Sequence, residues 1–173
     1  MDVFLDALAT VRDSGISFEA RILGSGPYEA ELRERADGLR ISSSVHWQSG
    51  IPHDQVPGWM QDLDLFVLPS RTISRWREQF GHVLIEAMAT GVPVIGSDSG
   101  EIPNVIGRPD LVFQEGDHNA LAELMIRLIR DDAWRNEISR YVVHRIHEKF
   151  THAHIARRMI TAWEQMLDAP LKR

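Results

Sequence analysis

Cysteine is absent from this chain of 173 residues, which excludes a disulfide framework, a zinc–thiolate centre and a cysteine nucleophile. No apolar run approaches the ~20 residues that a bilayer-spanning helix requires. The opening residues Met1-Asp2-Val3-Phe4-Leu5 have neither the basic nor the apolar region of a signal peptide. A surplus of basic charge is missing too. Nineteen Lys and Arg stand against 25 Asp and Glu, a net charge of −6, which argues against a nucleic-acid binder. The glycine-rich P-loop ending in Lys-Ser/Thr is not found, and no serine sits in a nucleophile elbow with His and Asp partners. ATPase and serine-hydrolase chemistry are therefore set aside. Internal repeats, low-complexity tracts and linkers are also lacking. What remains, 43% hydrophobic and 25% charged residues, is the make-up of a soluble cytoplasmic globular protein, of a length that suits one domain.

The apolar pattern alternates between helical and extended spacing. Val3, Phe4, Ala7, Leu8 and Val11 predict a helix over 2–13, ending near Ser14-Gly15. Phe18 to Leu23 reads as a strand closed by Gly24-Ser25-Gly26-Pro27, followed by a helix over 28–37. Ser44 to Gln48 reads as a second strand, Val56 to Asp62 as a short helix and Leu63 to Leu68 as a buried strand ending at Pro69-Ser70. His82 to Thr90 reads as a helix stopped by Gly91. Val92 to Ile95 and Leu111 to Phe113 are further strands. Three helices follow, marked by Leu121/Leu124/Met125/Leu128, by Trp134/Ile138/Tyr141/Val142 and by Ile155/Met159/Ala162/Trp163/Met166. Asp117 and Thr151 are placed to start the first and last. The tail Pro170-Leu171-Lys172-Arg173 reads as loose. Near-continuous apolar strands separated by helices imply a mainly parallel sheet covered on both faces.

In such a sheet, ligands bind beyond the carboxyl ends of the strands. Small, turn-forming residues crowd those positions: Gly24-Ser25-Gly26-Pro27, Ser49-Gly50, Pro69-Ser70 and Gly96-Ser97-Asp98-Ser99-Gly100. Glycines let backbone N–H groups approach an anion closely, and the same residues serve plain turns. Gly24 to Glu29 begins like a dinucleotide fingerprint, but Glu29 occupies the place of its third glycine. The stretch Glu78 to Ala89 is the most informative. Its second half is apolar nearly all round, so Glu86 lies in a buried helix and needs hydrogen-bond partners or a ligand. Gly81 precedes that helix and leaves first-turn amides free. Glu78 stands eight positions before Glu86. The two carboxylates would then bracket a helix N-terminus, as hydroxyl acceptors on either side of a phosphate site. A plainer reading has Glu86 capping a neighbouring loop and Glu78 solvated.

Pro69-Ser70, Glu78-Gln79-Phe80-Gly81 through Glu86-Ala87-Met88-Ala89, Gly91 to Asp98 and Gly100-Glu101-Ile102-Pro103 resemble the group 1 glycosyltransferases, retaining GT-B-fold enzymes of the GT4 type. The resemblance covers residues 1 to 168 and is most specific from 69 to 107. It implies an α/β fold, a Rossmann-like, mainly parallel sheet with helices on both faces that forms the C-terminal half of a GT-B fold. It also implies a single nucleotide-sugar-binding domain. By the same resemblance Glu78 accepts hydrogen bonds from the donor sugar, Glu86 holds the ribose hydroxyls, and Phe80, Gly81, His82 and Val83 present backbone groups to sugar and diphosphate. Gly24 and Gly26 line the phosphate side, while Ile51 and His53 border the base. No metal or other cofactor is implied. The partners are a nucleotide-diphosphate sugar and a sugar, lipid or other hydroxyl acceptor, with no nucleic acid, and the intact enzyme would be cytoplasmic or peripheral to a membrane.

Two departures qualify this expectation. The segment Arg71 to Arg77 is long, and its three arginines either reach phosphate or acceptor or are simply exposed. The family's donor half opens with a strand and an Arg/Lys-bearing loop, whereas this chain opens with a helix whose sole cation is Arg12. The chain is therefore expected to be a donor-binding domain without its usual first strand and without the acceptor-binding domain, and to transfer no sugar alone. Its final helix would lean toward that second domain, and a homodimer through the open sheet is another possible arrangement. Alternatives are a non-catalytic nucleotide-binding or partner-binding module and a nucleotide-sugar epimerase. Among other residues, the paired histidines (His144/His147, His152/His154) read as a solvated face. Four of the five tryptophans read as packing residues, with Trp76 at the rim. Glu101 reads equally as helix cap or ligand contact.

Overall fold

The computed structural model describes residues 1–168; the tail 170–173 lies outside the described residues. The chain folds as α1 (Asp2–Asp13), β1 (Ala20–Leu23), α2 (Glu29–Gly38), β2 (Val45–Gln48), α3 (Val56–Gln61), β3 (Phe66–Leu68), α4 (His82–Ala89), β4 (Val94–Ser97), α5 (Ile102–Ile106), β5 (Val112–Phe113), α6 (His118–Arg130), α7 (Asp132–Lys149) and α8 (His152–Asp168). Every strand pairing is parallel: β1 with β2, where Ala20 stands opposite Val45, and β3–β4–β5, with β4 in the middle. These are two separate ladders. No hydrogen bonds join β1 to β3, so the sheet that the sequence leads one to expect is divided.

The helices form where the apolar periodicity places them. α1 buries Leu5, Leu8 and Val11 and packs on α6 and α2. α4 buries Leu84, Ala87 and Met88 and packs on α7, with α3 alongside. Asp117 accepts the Ala120 amide at 2.9 Å, Asp131 the Trp134 amide at 2.9 Å, and Thr151 Oγ1 the His154 amide at 3.2 Å. Each satisfies an orphan first-turn donor of the helix it starts.

β1 and β3 begin later than the sequence reading places them, at Ala20 and Phe66, and α5, β4 and the tryptophans also differ from it. α5 has only five residues, too few to show periodicity. β4 runs through Gly96 and Ser97, because Gly96 gives α5 room to lie directly on the strand. A Cβ there would overlap Ile102 and stand 2.8 Å from Ile106 Cδ1. The tryptophans divide as well. Trp134 is buried beneath the Arg127 guanidinium at 3.8 Å, and Trp59 donates to Gln48 Oε1 at 3.0 Å. Trp163 is instead 57% exposed, on an α8 stripe with Ile155, Met159 and Met166, because α8 packs mainly on α7.

Gly96→Ala should cost about 1–3 kcal/mol through overpacking. Thermal unfolding would read this as a fall of roughly 2–4 °C per kcal/mol.

Candidate functional site

The chain leaves β3 through Pro69-Ser70 and makes a surface turn in which Ile73 and Trp76 exchange backbone hydrogen bonds of 2.8 and 3.1 Å. It then reaches Glu78 and α4. Arg71, Arg75 and Arg77 are all exposed on this turn, and Arg71 approaches Asp2 at 3.4 Å. Arg12, the one cation of α1, is engaged elsewhere. Its guanidinium bonds the Leu39 and Arg40 carbonyls and Asp13.

Glu78 folds back on the start of α4. Its Oε1 accepts the Gly81 amide at 3.0 Å and its Oε2 the Ser70 hydroxyl at 3.3 Å. Gly81 adopts the left-handed conformation, φ 73°, which lets the chain turn sharply into α4 and is strained for residues with a Cβ. The amides of His82 and Val83 in the first turn have no intrahelical acceptor. Phe80 packs against the His82 ring at 4.9 Å and edge-on to Phe150 at 6.0 Å. Gly100 (φ 55°) lies so close beneath the loop that a Cβ would overlap the Glu78 carbonyl oxygen. The Glu101 amide donates to the same carbonyl at 3.4 Å. The Glu101 carboxylate, at the first position before α5, takes the Asn104 side-chain amide at 2.8 Å.

The last residues of β1 and β3 and the first turn of α4 share a cavity of about 950 Å³, lined there by Leu23, Pro69, Val83 and Glu86. Val83 and Glu86, three residues apart, face it together. Glu86 is half-buried, and among the described residues its carboxylate has no hydrogen-bond partner. Glu78 lies on a different, smaller hollow with Arg75, Arg77 and Glu101. The two carboxylates therefore stand on either side of the start of α4 without sharing one hollow. The reason is local, since Gly81 and Ser70 draw the Glu78 carboxylate inward.

Gly24, Gly26, Ile51 and His53 lie beyond the cavity wall, in the loops that leave β1 and β2 at the same end. Gly24 donates to the Gln48 carbonyl at 2.9 Å, and the Gly26 carbonyl accepts from Glu29 at 3.1 Å. A Cβ at either glycine would meet nothing within 4 Å, so no other element packs on the loop at these two positions. Glu29, in place of a third glycine, starts α2 and pairs with Arg33 at 2.8 Å.

A network that the sequence reading missed ties the ends of β3, β4 and β5 together. Ser97 Oγ donates to the Ser70 carbonyl at 2.7 Å, and Thr72 Oγ1 lies 3.0 Å from Ser99 Oγ. Thr72 donates its amide and hydroxyl to Glu115 at 2.8 and 2.6 Å, and the Glu115 amide donates to Asp98 at 2.8 Å. Ser97 and Ser99 are buried. The serines had drawn notice as rim residues, whereas nothing in the pattern singled out Glu115. The Thr72 hydroxyl holds the Glu115 carboxyl below its ordinary range. On α7, His144 approaches Glu148 at 3.3 Å. Among the described residues no helix is long and apolar enough to cross a membrane.

Residues 1–145 match the family described as glycosyl transferases group 1. The amylovoran biosynthesis glycosyltransferase AmsK of Erwinia amylovora is 30% identical over 77% of this chain and 33% of its own length. A GDP-mannose-dependent α-(1-6)-phosphatidylinositol monomannoside mannosyltransferase of Mycolicibacterium smegmatis is 31% identical over 75% of this chain and 35% of its length. The crystal structure of Anabaena Alr3699/HepE in complex with UDP superimposes with a TM-score of 0.80 at 21% identity, covering 94% of this chain and 44% of that one. The chain spans about a third of the length of the curated relatives it matches.

Gly100→Ala should displace the Glu78 loop and cost about 1–3 kcal/mol of stability, measured by denaturant unfolding. Glu115 contributes a pH dependence of defined sign. With its folded pKa lowered, the stabilisation is complete above the ordinary glutamate value and is lost as pH falls through the folded one. Thr72→Val should flatten that acid limb in a denaturation series run downward from neutral pH.

Proposed function

The chain belongs to the group 1 glycosyl transferases, and from that premise we propose that it is the donor-binding part of an enzyme that passes a sugar from a nucleotide-diphosphate donor to an acceptor hydroxyl with retention. The observation that carries this reading is the hollow between β1 and β3, at whose carboxyl end α4 begins. It is entered by the open first turn of α4 and is lined there by the half-buried Glu86, whose carboxylate has no partner among the described residues. An anion at that helix end meets free N–H groups and the positive end of the dipole. The carboxylate one turn further along can accept both hydroxyls of a ribose, a charge-assisted pairing. Gly24 and Gly26 border the phosphate side, and Ile51 and His53 border the base. Phe80, Gly81, His82 and Val83 offer backbone groups to the diphosphate and sugar, and Glu78 accepts from the sugar hydroxyls.

In the reaction, the acceptor oxygen bonds to the anomeric carbon on the face from which the nucleotide leaves. The carbon–oxygen bond to the diphosphate breaks with its electron pair, and the departing phosphate takes the acceptor proton. Glu78 and Glu86 position the donor and move no proton. The developing negative charge on the leaving group is met by the amides of α4, which act without a metal ion. Excluding water and orienting the acceptor need a second lobe, and the uncovered stripe of α8 is a surface that such a lobe would cover. A non-catalytic nucleotide-binding or partner-binding module is the second reading. The structural engagement of Arg12, which leaves α1 no cation for a diphosphate, favours it.

Calorimetric titration with UDP, GDP and ADP separates the donor-binding reading from a partner-binding module. One of the three should bind, and Glu86→Gln should weaken it about ten-fold or more, the loss of a charged hydrogen bond. Failure of all three to bind would leave the partner-binding module standing. Incubated with labelled nucleotide sugars and candidate acceptors, this chain alone should give no transfer, and robust turnover would overturn the need for a second lobe.

A further inference from the structure

On the far side of the α4 start from Glu86, a hollow of about 450 Å³ opens on the surface turn between β3 and α4, a size common among small-ligand sites. It is lined by Ile73, Arg75, Trp76 and Arg77 of the turn, together with Glu78 and Glu101. The turn is a held platform rather than a loose loop. Glu115 takes the amide and hydroxyl of Thr72 at its start, Ile73 and Trp76 exchange backbone bonds across its middle, and the Glu101 amide bonds the Glu78 carbonyl at its end. The Arg77 stem passes over Gly100, where a Cβ would stand 3.3 Å from its Cγ. The Trp76 side chain is 49% exposed on this platform. Arg75 and Arg77 are exposed and, among the described residues, pair with no carboxylate, whereas Arg71 is drawn to Asp2. The two neighbouring carboxylates are engaged elsewhere, Glu78 with Gly81 and Ser70 and Glu101 with Asn104.

We propose that this hollow receives the sugar of the nucleotide donor, and that the sugar is acidic, a hexuronate whose carboxylate pairs with Arg75 and Arg77. The inference rests on the donor reading and names the class of sugar in it. The mixed lining selects the ligand. A pyranose can lay the C–H groups of one face on the broad apolar face of the Trp76 indole. Its hydroxyls can donate to Glu78 and Glu101, whose carboxylates have lone pairs left over from the bonds they already accept. A neutral sugar would stop there and leave two guanidiniums idle. A carboxylate carried on the ring matches their planar fork in a charge-assisted pairing. A simple anion fares worse, because the charges of Glu78 and Glu101 repel it and it has no hydroxyl to give them. Position agrees with this. The hollow lies on one side of the first turn of α4 and the cavity lined by Glu86 on the other. A donor whose diphosphate meets the His82 and Val83 amides therefore has its nucleoside on the Glu86 side and its sugar on this one.

The test is calorimetric titration of this chain at low ionic strength, where exposed charges are least screened. The ligands are built on whichever of UDP, GDP and ADP binds: the nucleotide itself, its glucosyl ester and its glucuronosyl ester. The glucuronosyl ester should bind about ten-fold or more tighter than the glucosyl ester, the worth of a charged hydrogen-bonded pair. Replacing both arginines, Arg75→Gln with Arg77→Gln, should erase that preference. Trp76→Ala should weaken both esters relative to the nucleotide, since the indole serves the ring and not its charge. The bonds that Ile73 and Trp76 exchange are between backbone groups, so the turn survives these side-chain changes. Equal affinity of the two esters, or a preference for the glucosyl one, would overturn this inference and leave the donor reading standing. If the arginine replacements weakened the nucleotide alone as much as the glucuronosyl ester, the guanidiniums would serve the diphosphate, and the acidic-sugar assignment would fall. Failure of all three nucleotides to bind would overturn the donor reading and this inference with it.

Discussion

The start of α4 is held by a single carboxylate turned back on its own helix. Glu78 accepts from Gly81 and Ser70, its carbonyl rests against Gly100, and the amide of Glu101 bonds that carbonyl. Three separate segments thus converge on one residue in a loop. Without that convergence, the long turn from Arg71 to Arg77 would leave the first turn of α4 free to shift, and the helix amides could not be presented to an anion in a fixed direction. Glu78 also cancels part of the positive end of the helix dipole, so an anion at that end relies on the His82 and Val83 amides rather than on the full dipole.

A second layer of support comes from the ends of β3, β4 and β5. Parallel strands are joined only by hydrogen bonds along their length, and β5 offers just two residues for this. The Thr72–Ser99–Glu115–Asp98 network continues the ladder with side chains where the backbone stops, and so ties three loops together. Burying Ser97 and Ser99 is inexpensive because each hydroxyl has a partner.

The long helices α1, α6, α7 and α8 were legible because their apolar faces repeat over three or more turns, and caps such as Asp117 and Thr151 are readable from residue type alone. The strands were legible in place but not in extent. Gly96 looks like a turn residue, and only the side chains of Ile102 and Ile106, arriving from α5, explain why a glycine stands in the middle of a strand. The division of the sheet was not legible, since apolar runs report burial and not which edges meet. At the site, the spacing of Glu78 and Glu86 reads as one bracketed helix start, and the two carboxylates stand on either side of the start of α4. Their separation into different hollows depends on which way the Glu78 side chain turns, and that is decided by Ser70 and Gly81. Glu115 had no signal at all, because an isolated acidic residue after a short strand looks like surface.

The exposed stripe of α8 has a mechanical consequence. Since that helix leans chiefly on α7 and touches none of the strands closely, force applied to it is transmitted through α7 and reaches α4 only through their shared packing. Movement of α8 as a unit can therefore leave the walls of the hollow between β1 and β3 unchanged.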